Sequence, residues 1–218
     1  MTKLSILICA HCPNVNYDNL LVKAISSIYE QSYKDYKLFI VLDACWGGTL
    51  SAIENIITTD TEIIVTDKQE GLARAKNIGL ERINTEYVAF LDADDEYLPG
   101  KLEKQMNFVE NNDVDFLGTL ATVKDARSGT PKFFPSCIPE GQYETHEQIY
   151  NRIFEENIMT HGSMLIRKKA LDELGGYNDL RYSIEDWDLW KKAISSGYKF
   201  HQLQERLYLW TMGTSVAK

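Results

Sequence analysis

The chain has 218 residues, 44% of them hydrophobic and 25% charged, enough for one well-buried core and too few for two ordinary domains. Its formal net charge of −9 makes phosphate backbones and anionic membrane surfaces poor default partners, so no nucleic acid is expected. Five prolines and 13 glycines exclude a fibrous or disordered chain, and no repeat or low-complexity tract interrupts it. The apolar run Leu4 to Ala10 is too short for a membrane span and lacks the cleavage region of a signal peptide. No transmembrane segment is expected, and cytoplasmic residence is the default. Cys9 and Cys12 form a CxxC, but no second ligand pair exists for zinc, and Pro13 and Asn14 continue it as a loop. Together with Cys45 and Cys137 they read as reduced thiols.

In chain order, Lys3–Cys9 is a buried strand, continuous in apolar residues. After Asp18, the apolar residues Leu20, Leu21, Ala24, Ile25 and Ile28 fall at helical spacing. Tyr36–Leu42 is the second strand, Leu50–Ile57 the second helix, Glu62–Val65 the third strand, and Leu72–Ile83 a helix opened by Gly71. Tyr87–Leu91 is a fourth strand that ends in acidic residues. This alternation implies a mainly parallel sheet covered on both faces, with ligands beyond the carboxyl ends of its strands. The rule selects Cys9–Cys12, Asp43–Cys45 and Asp92–Asp95.

The second half breaks the alternation. A helix at Lys101–Glu110 and a strand at Asp115–Val123 precede a polar stretch, Asp125–Tyr143, read as loops or a hairpin. A helix around Glu147–Phe154, a strand at Ser163–Ile166 and a helix at Lys168–Leu174 follow, the last capped by Gly175 and Gly176. Trp187–Ser196 is the final helix, with edge strands at Tyr198–Gln202 and Leu207–Trp210.

Two acidic clusters carry the chemistry. Asp92-Ala93-Asp94-Asp95 places three carboxylates within four residues, a repulsive arrangement that suits magnesium or manganese, either of which bridges diphosphates. The plain alternative is an acidic turn or a helix N-cap ahead of Pro99 and Gly100. Glu185-Asp186-Trp187-Asp188-Leu189-Trp190 is equally a charged helix start or a carboxylate beside an aromatic face, placed to take a proton from a sugar hydroxyl.

With these clusters, LSILICAH, KLFIVLDAC, EGLARAKNIGL with YVAFLDADDEYLPGKL, and LGGYNDLRYSIEDWDLWKKA make an ordered set from Leu4 to Ala193. The set resembles glycosyltransferase family 2, inverting enzymes of the GT-A fold. The resemblance implies an α/β domain over 1–218, with a Rossmann-like nucleotide-binding half (1–99), a mainly parallel central sheet flanked by helices, and a smaller acceptor-binding half (100–218). It implies a nucleotide-sugar donor, a UDP-sugar favoured, and a glycan or other hydroxyl acceptor. Ala10 and His11, with Cys9, fall where the family's loop lines the nucleotide base, His11 being equally a loop-surface histidine, and Asp43 accepts a bond from the base edge, although Leu42 replaces the family's first aspartate there. Gly71 and Arg74, with Lys76, approach base and phosphates, the helix face around Arg74 and Lys76 being equally a solvated one. Asp92 faces the ribose, Ala93 belongs to the nucleotide-binding set, and Asp94 holds Mn2+ or Mg2+. Asp186 is the catalytic base, with Glu185, Trp187 and His161 on the acceptor side. One departure stands out: Tyr208-Leu209-Trp210-Thr211-Met212 carries neither the arginine nor the histidine relatives place there, leaving metal coordination to Asp94, diphosphate and water.

The implied reaction is a single in-line displacement at the anomeric carbon. A sugar nucleotidylyltransferase would need a glycine-rich loop after strand one, where this chain has CAHCPN. A catalytically silent nucleotide- or carbohydrate-binding module would lack one of the acidic motifs, and both are present.

Overall fold

The structure, a computed structural model, describes residues 2–125, 131–134, 144–178 and 184–213. Four strands, β1 (Leu4–Ala10), β2 (Tyr36–Asp43), β3 (Glu62–Thr66) and β4 (Tyr87–Asp92), pair in parallel. Helices α1 (Val15–Tyr29), α2 (Thr49–Ile53) and α3 (Leu72–Arg82) connect them. Alternate residues of each strand enter opposite cores: Leu4, Ile6 and Ile8 one, Leu7 the other; Leu38, Ile40 and Leu42 the first, Phe39 and Val41 the second. Both faces of β1, β2 and β4 are buried, so these strands read as nearly continuous apolar runs, whereas β3, at the sheet edge, leaves Glu62 and Val65 exposed. Each fully buried Leu or Ile contributes roughly 1.5–3 kcal/mol before chain entropy is counted.

The remaining elements are β5 (Glu96–Tyr97), α4 (Lys101–Asn111), β6 (Phe116–Asp125), β7 (Pro131–Phe134), α5 (His146–Ile153), a 3-10 turn (His161–Ser163), β8 (Leu165–Arg167), α6 (Lys168–Leu174), α7 (Glu185–Ser195) and β9 (Phe200–Met212). They extend the sheet to the order β3-β2-β1-β4-β8-β6-β9-β5, with β7 paired to β6. β4 pairs antiparallel with β8, and β6 parallel with β9. The result is the α/β architecture expected of a GT-A domain. Among the described residues, no helix is long and apolar enough to cross a membrane.

Four details depart from the sequence reading. α1 starts at Val15, ahead of Asp18, because the Asn14 side chain accepts the Asn16 amide as N-cap. Asp18 then points inward and takes the Trp46 indole N–H and the Thr49 hydroxyl, both at 2.7 Å. α2 ends at Ile53 rather than Ile57; the β-branched run that follows is a poor helix former. The two edge strands expected at Tyr198–Gln202 and Leu207–Trp210 are one strand, β9, lying between β6 and β5. A bulge opposite Thr119, Leu120 and Ala121 absorbs its polar interruption. The strand placed at Ser163–Ile166 starts instead at Leu165, after the 3-10 turn. Of the polar stretch Asp125–Tyr143, Pro131–Phe134 pairs antiparallel with Ala121–Lys124; residues 126–130 and 135–143 lie outside the described residues, and with them Cys137.

Candidate active site

The carboxyl ends of β1, β2 and β4, the amino end of α3, the 3-10 turn, the first turn of α7 and the end of β9 surround one cleft of about 410 Å³. Its wall includes Ala10, His11, Asp43, Gly71, Lys76, Asp92, Ala93, Asp94, His161, Glu185, Asp186 and Trp210. A smaller pocket of about 180 Å³ adjoins it, lined by Asn157, Met159 and Thr160 and sharing Asp92, Asp95, His161, Asp186 and Trp210.

At one end of the cleft, Asp43 is 4% exposed. Its Oδ1 accepts the Thr66 hydroxyl (2.9 Å) and the Glu70 amide (2.8 Å), and its Oδ2 the Gly71 amide (3.0 Å). Most of its acceptor capacity therefore shapes the loop before α3, leaving room on Oδ2 for one more donor. Gly71 adopts φ +88° as it enters the helix, a conformation that costs a residue with a Cβ. The His11 ring lies 2.7 Å, through Nδ1, from the Asp43 carbonyl; a carbonyl only accepts, so Nδ1 carries a proton. Cys45 ties the same two loops, accepting the Cys12 amide and donating to the Ala10 carbonyl. Bonding to Cys12 brings its thiol down to about 7, whereas burial pushes the Cys9 thiol up to about 12. Cys9, Cys12 and Cys45 are all free thiols.

Arg74, expected at base and phosphates, is not part of this wall. Its side chain is 61% exposed and pairs with Glu70 at 2.6 Å. The cation that α3 turns into the cleft is Lys76.

The three carboxylates after β4 have separate environments. Asp95 is buried, accepting the Tyr208 hydroxyl (2.6 Å) and the Thr211 amide (2.7 Å). Burial, then the charges of Asp92 and Asp94, hold its pKa well above the usual carboxylate range. Asp92 faces His161 Nδ1 at 3.8 Å, and the Tyr208 hydroxyl lies 3.4 Å from its Oδ2. Burial opposes its ionisation, but His161, Lys76 and Tyr208 outweigh that and hold its pKa below the ordinary value. Asp94 lies half-buried in the cleft wall. His161 Nε2 meets the Tyr177 hydroxyl at 2.8 Å, and its ring stacks on Trp190. Backbone passes so close here that a Cβ on Gly162 would sit 1.8 Å from the Tyr208 hydroxyl.

Across the cleft, Asp186 occupies the first turn of α7. Its Oδ1 accepts the Trp187 amide (2.6 Å) and its Oδ2 the Asn157 side-chain amide (3.1 Å). Glu185 is buried and paired with Lys76, Nζ to Oε1 2.9 Å. Burial pushes its carboxyl up, Lys76 more than offsets this, and the pKa lies below the ordinary value. Trp187, expected to wall the acceptor side, is absent from the lining of both cavities. It packs against the core, donates its indole N–H to the Ile153 carbonyl, and lies under the Lys191 ammonium.

Among the described residues, no three His, Cys, Asp or Glu side chains stand close enough to hold a metal by themselves. Asp95 is spent on Tyr208 and Thr211, and Asp92 turns to His161 and Tyr208. The donor set suits a hard cation held by Asp94 together with diphosphate oxygens and water, the usual habit of magnesium at phosphates.

Tyr208, Tyr177 and Asn157 were not singled out in the sequence as site residues. Tyr208 stands in the segment where the family pattern departs, and that departure was the available signal. Tyr177 belongs to the GGY stretch. Nothing in the sequence marks Asn157.

The profile of glycosyl transferase family 2 matches residues 5–175. An uncharacterized glycosyltransferase of Methanocaldococcus jannaschii is 33% identical over 197 residues, covering 87% of this chain and 65% of its own length. The O-antigen biosynthesis glycosyltransferase WbnJ of Escherichia coli is 26% identical over 197 residues, covering 88% of this chain and 72% of its own. Among solved structures, S. aureus TarS 1–349 in complex with UDP superimposes with a TM-score of 0.75 at 17% identity, over 96% of this chain and 60% of that one. Mannosyltransferase PcManGT from Pyrobaculum calidifontis, in complex with GDP-Man and Mn2+, gives 0.72 at 17% identity, over 99% and 58%. The chain thus spans about two thirds of the curated relatives' length and about 60% of these solved chains. With the profile covering most of its length, and with both acidic motifs on one cleft, the chain belongs to glycosyl transferase family 2.

Proposed function

We propose that the chain moves a sugar from a nucleoside diphosphate sugar, a UDP-sugar first among them, to a hydroxyl of a growing glycan by one inverting displacement. The observation that carries this reading is that Asp94, after β4, and Asp186, opening α7, line the same cleft, while Asp186 also lines the adjoining pocket. Residues 1–99 supply the donor side, where Ala10, His11, Asp43, Gly71, Asp92 and Ala93 receive base and ribose. The remaining acceptor position on Asp43 Oδ2 suits the ring N–H of uracil. Residues 100–218 supply the acceptor side, with His161 between the two.

Asp186 keeps lone pairs beyond its two hydrogen bonds and takes the proton of the attacking hydroxyl as the general base. Asp94 is the protein's ligand for manganese or magnesium, which when bound neutralises charge on the leaving diphosphate. TarS in complex with UDP, and the mannosyltransferase with GDP-Man and Mn2+, support a nucleoside diphosphate donor and a divalent cation. The O-antigen relative supports a glycan acceptor.

The test is thermal stability with UDP, GDP or ADP, each with and without manganese, since binding to the folded state raises apparent stability. UDP with manganese should give the largest increase, and D94N should lose its manganese-dependent part. Equal response to all three nucleotides removes the uracil preference. No response to any of them removes the donor reading.

A further inference from the structure

We infer that Lys76 is a positioning residue for Asp186: its buried ion pair with Glu185 fixes the first turn of α7 against α3, and with it the base. The inference rests on Asp186 acting in the role proposed above. Lys76 and Glu185 have side chains only 3% and 8% exposed, at 2.9 Å, and both line the cleft. A buried ion pair is a weak source of net stability, because desolvation offsets most of the attraction. What it does supply is geometry, since neither charge tolerates losing the other.

The surroundings point the same way. Ile184, the residue before α7, makes no side-chain cap bond; the first turn is held by side-chain contacts, Trp187 donating to the Ile153 carbonyl, Asn178 to Asp188 Oδ2, and Lys76 to Glu185. Asp186 itself receives one bond from outside its helix, from Asn157. α3 adds contacts through two consecutive residues, one of them to the buried acid next to Asp186. Asn77 donates to the Tyr177 carbonyl (2.8 Å) and accepts the Tyr177 amide (2.9 Å). Lys76 holds Glu185 and lies 5.0 Å from the Tyr177 ring centre. One turn of α3 thereby grips the chain both before and at the start of α7. Tyr177 passes the constraint on to His161, which faces Asp92. The helix that opens beside the donor half therefore also sets the base on the opposite wall.

The test compares wild type with K76R, which keeps the charge pair, and K76M/E185M, which replaces it with apolar side chains of similar length. Such replacements are often neutral for stability, so the double variant separates folding from placement. Two readings are taken: hydrogen exchange of the amides of residues 185–190, and steady-state UDP release from UDP-GlcNAc with manganese. In K76M/E185M we expect an unchanged melting temperature, faster exchange confined to 185–190, and kcat lower by about 100-fold with donor KM within about twofold, the scale on which small misplacements act. K76R should stay within about tenfold of wild type. Wild-type exchange and turnover in the double variant overturn the inference. Should that variant not fold, E185Q carries the same readings, reduced kcat at unchanged KM supporting the inference and wild-type kcat overturning it. If wild type itself releases no nucleotide from UDP-GlcNAc, exchange at 185–190 alone decides the coupling between α3 and α7, and the nucleotide-binding test above decides the donor reading.

Discussion

Asp43 and Asp186 are carboxylates on opposite walls of one cleft, and they are held in contrasting ways. Asp43 ends a buried parallel strand and accepts from Thr66, Glu70 and Gly71. Asp186 opens a helix and accepts from Asn157 and Trp187. The first carboxylate is largely committed to building the loop before α3, and the second retains capacity for a proton. Rigid strand ends suit binding a constant moiety such as a nucleotide; a helix start whose acids are tied to another element suits a reacting group that must be aimed. Even the strained backbone falls on the committed side: Ala44, next to Asp43, has φ +47°, an uncommon value for a residue with a Cβ, held by the hydrogen bond its amide donates to Thr66 Oγ1.

The largest effect should come from Asp186. D186N preserves shape and removes basicity, so turnover should fall by roughly 10²–10⁴-fold while UDP affinity, measured by calorimetry, stays near wild type. Loss of UDP affinity in parallel with turnover would break the division between the two walls. Asp43 should behave in the opposite sense. D43A strands the Glu70 and Gly71 amides, so both thermal stability and UDP affinity should fall, by about 1–3 kcal/mol. A stable D43A that has lost only UDP affinity would make Asp43 a pure ligand contact and its loop bonds incidental.

Gly162 sits between the walls and tests packing. Ala at this position places its Cβ 1.8 Å from the Tyr208 hydroxyl and 2.9 Å from Asp92 Oδ2. Overpacking of this kind costs about 1–3 kcal/mol, and the strain falls on the Tyr208 bonds to Asp95 and Asp92. G162A should therefore lower the denaturant midpoint without changing the slope. A wild-type midpoint would show that the turn shifts freely.

How much of this was legible follows from what each segment buries. β1, β2 and β4 announced themselves because both faces pack, giving unbroken apolar runs from Leu4, Leu38 and Val88. β5 was invisible at two residues, Glu96 and Tyr97, and β9 was split by a polar interruption that only a partner strand can bridge. The acidic motifs located the cleft, since position after a strand and spacing before a helix survive in one dimension. Which face a helix turns inward does not. Arg74 and Lys76 are two residues apart, so they point about 200° apart around α3, and the sequence stretch alone could not say which faced the cleft. Trp187 repeats the case: beside Asp186 in sequence, it turns about 100° away, onto Ile153.

Arg74 gives the smallest and most discriminating expectation. A cation near diphosphate is an attractive reading of the segment, and the resemblance to the family encouraged it. In the structure the guanidinium lies on the outer face of α3, 61% exposed and bound to Glu70 one helical turn back. Exposed pairs of this type contribute about 0–1 kcal/mol, and salt weakens them further. The Glu70 amide, not its carboxylate, is what reaches Asp43, so losing Arg74 leaves the nucleotide loop bonded as before. R74A should therefore change stability by less than about 1 kcal/mol and leave UDP affinity in manganese near the wild-type value. K76M/E185M, two residues away in sequence, should slow turnover instead. A large loss of UDP affinity in R74A would mean that the arginine swings across the cleft mouth when nucleotide binds, and would place a phosphate contact on the outer face of α3.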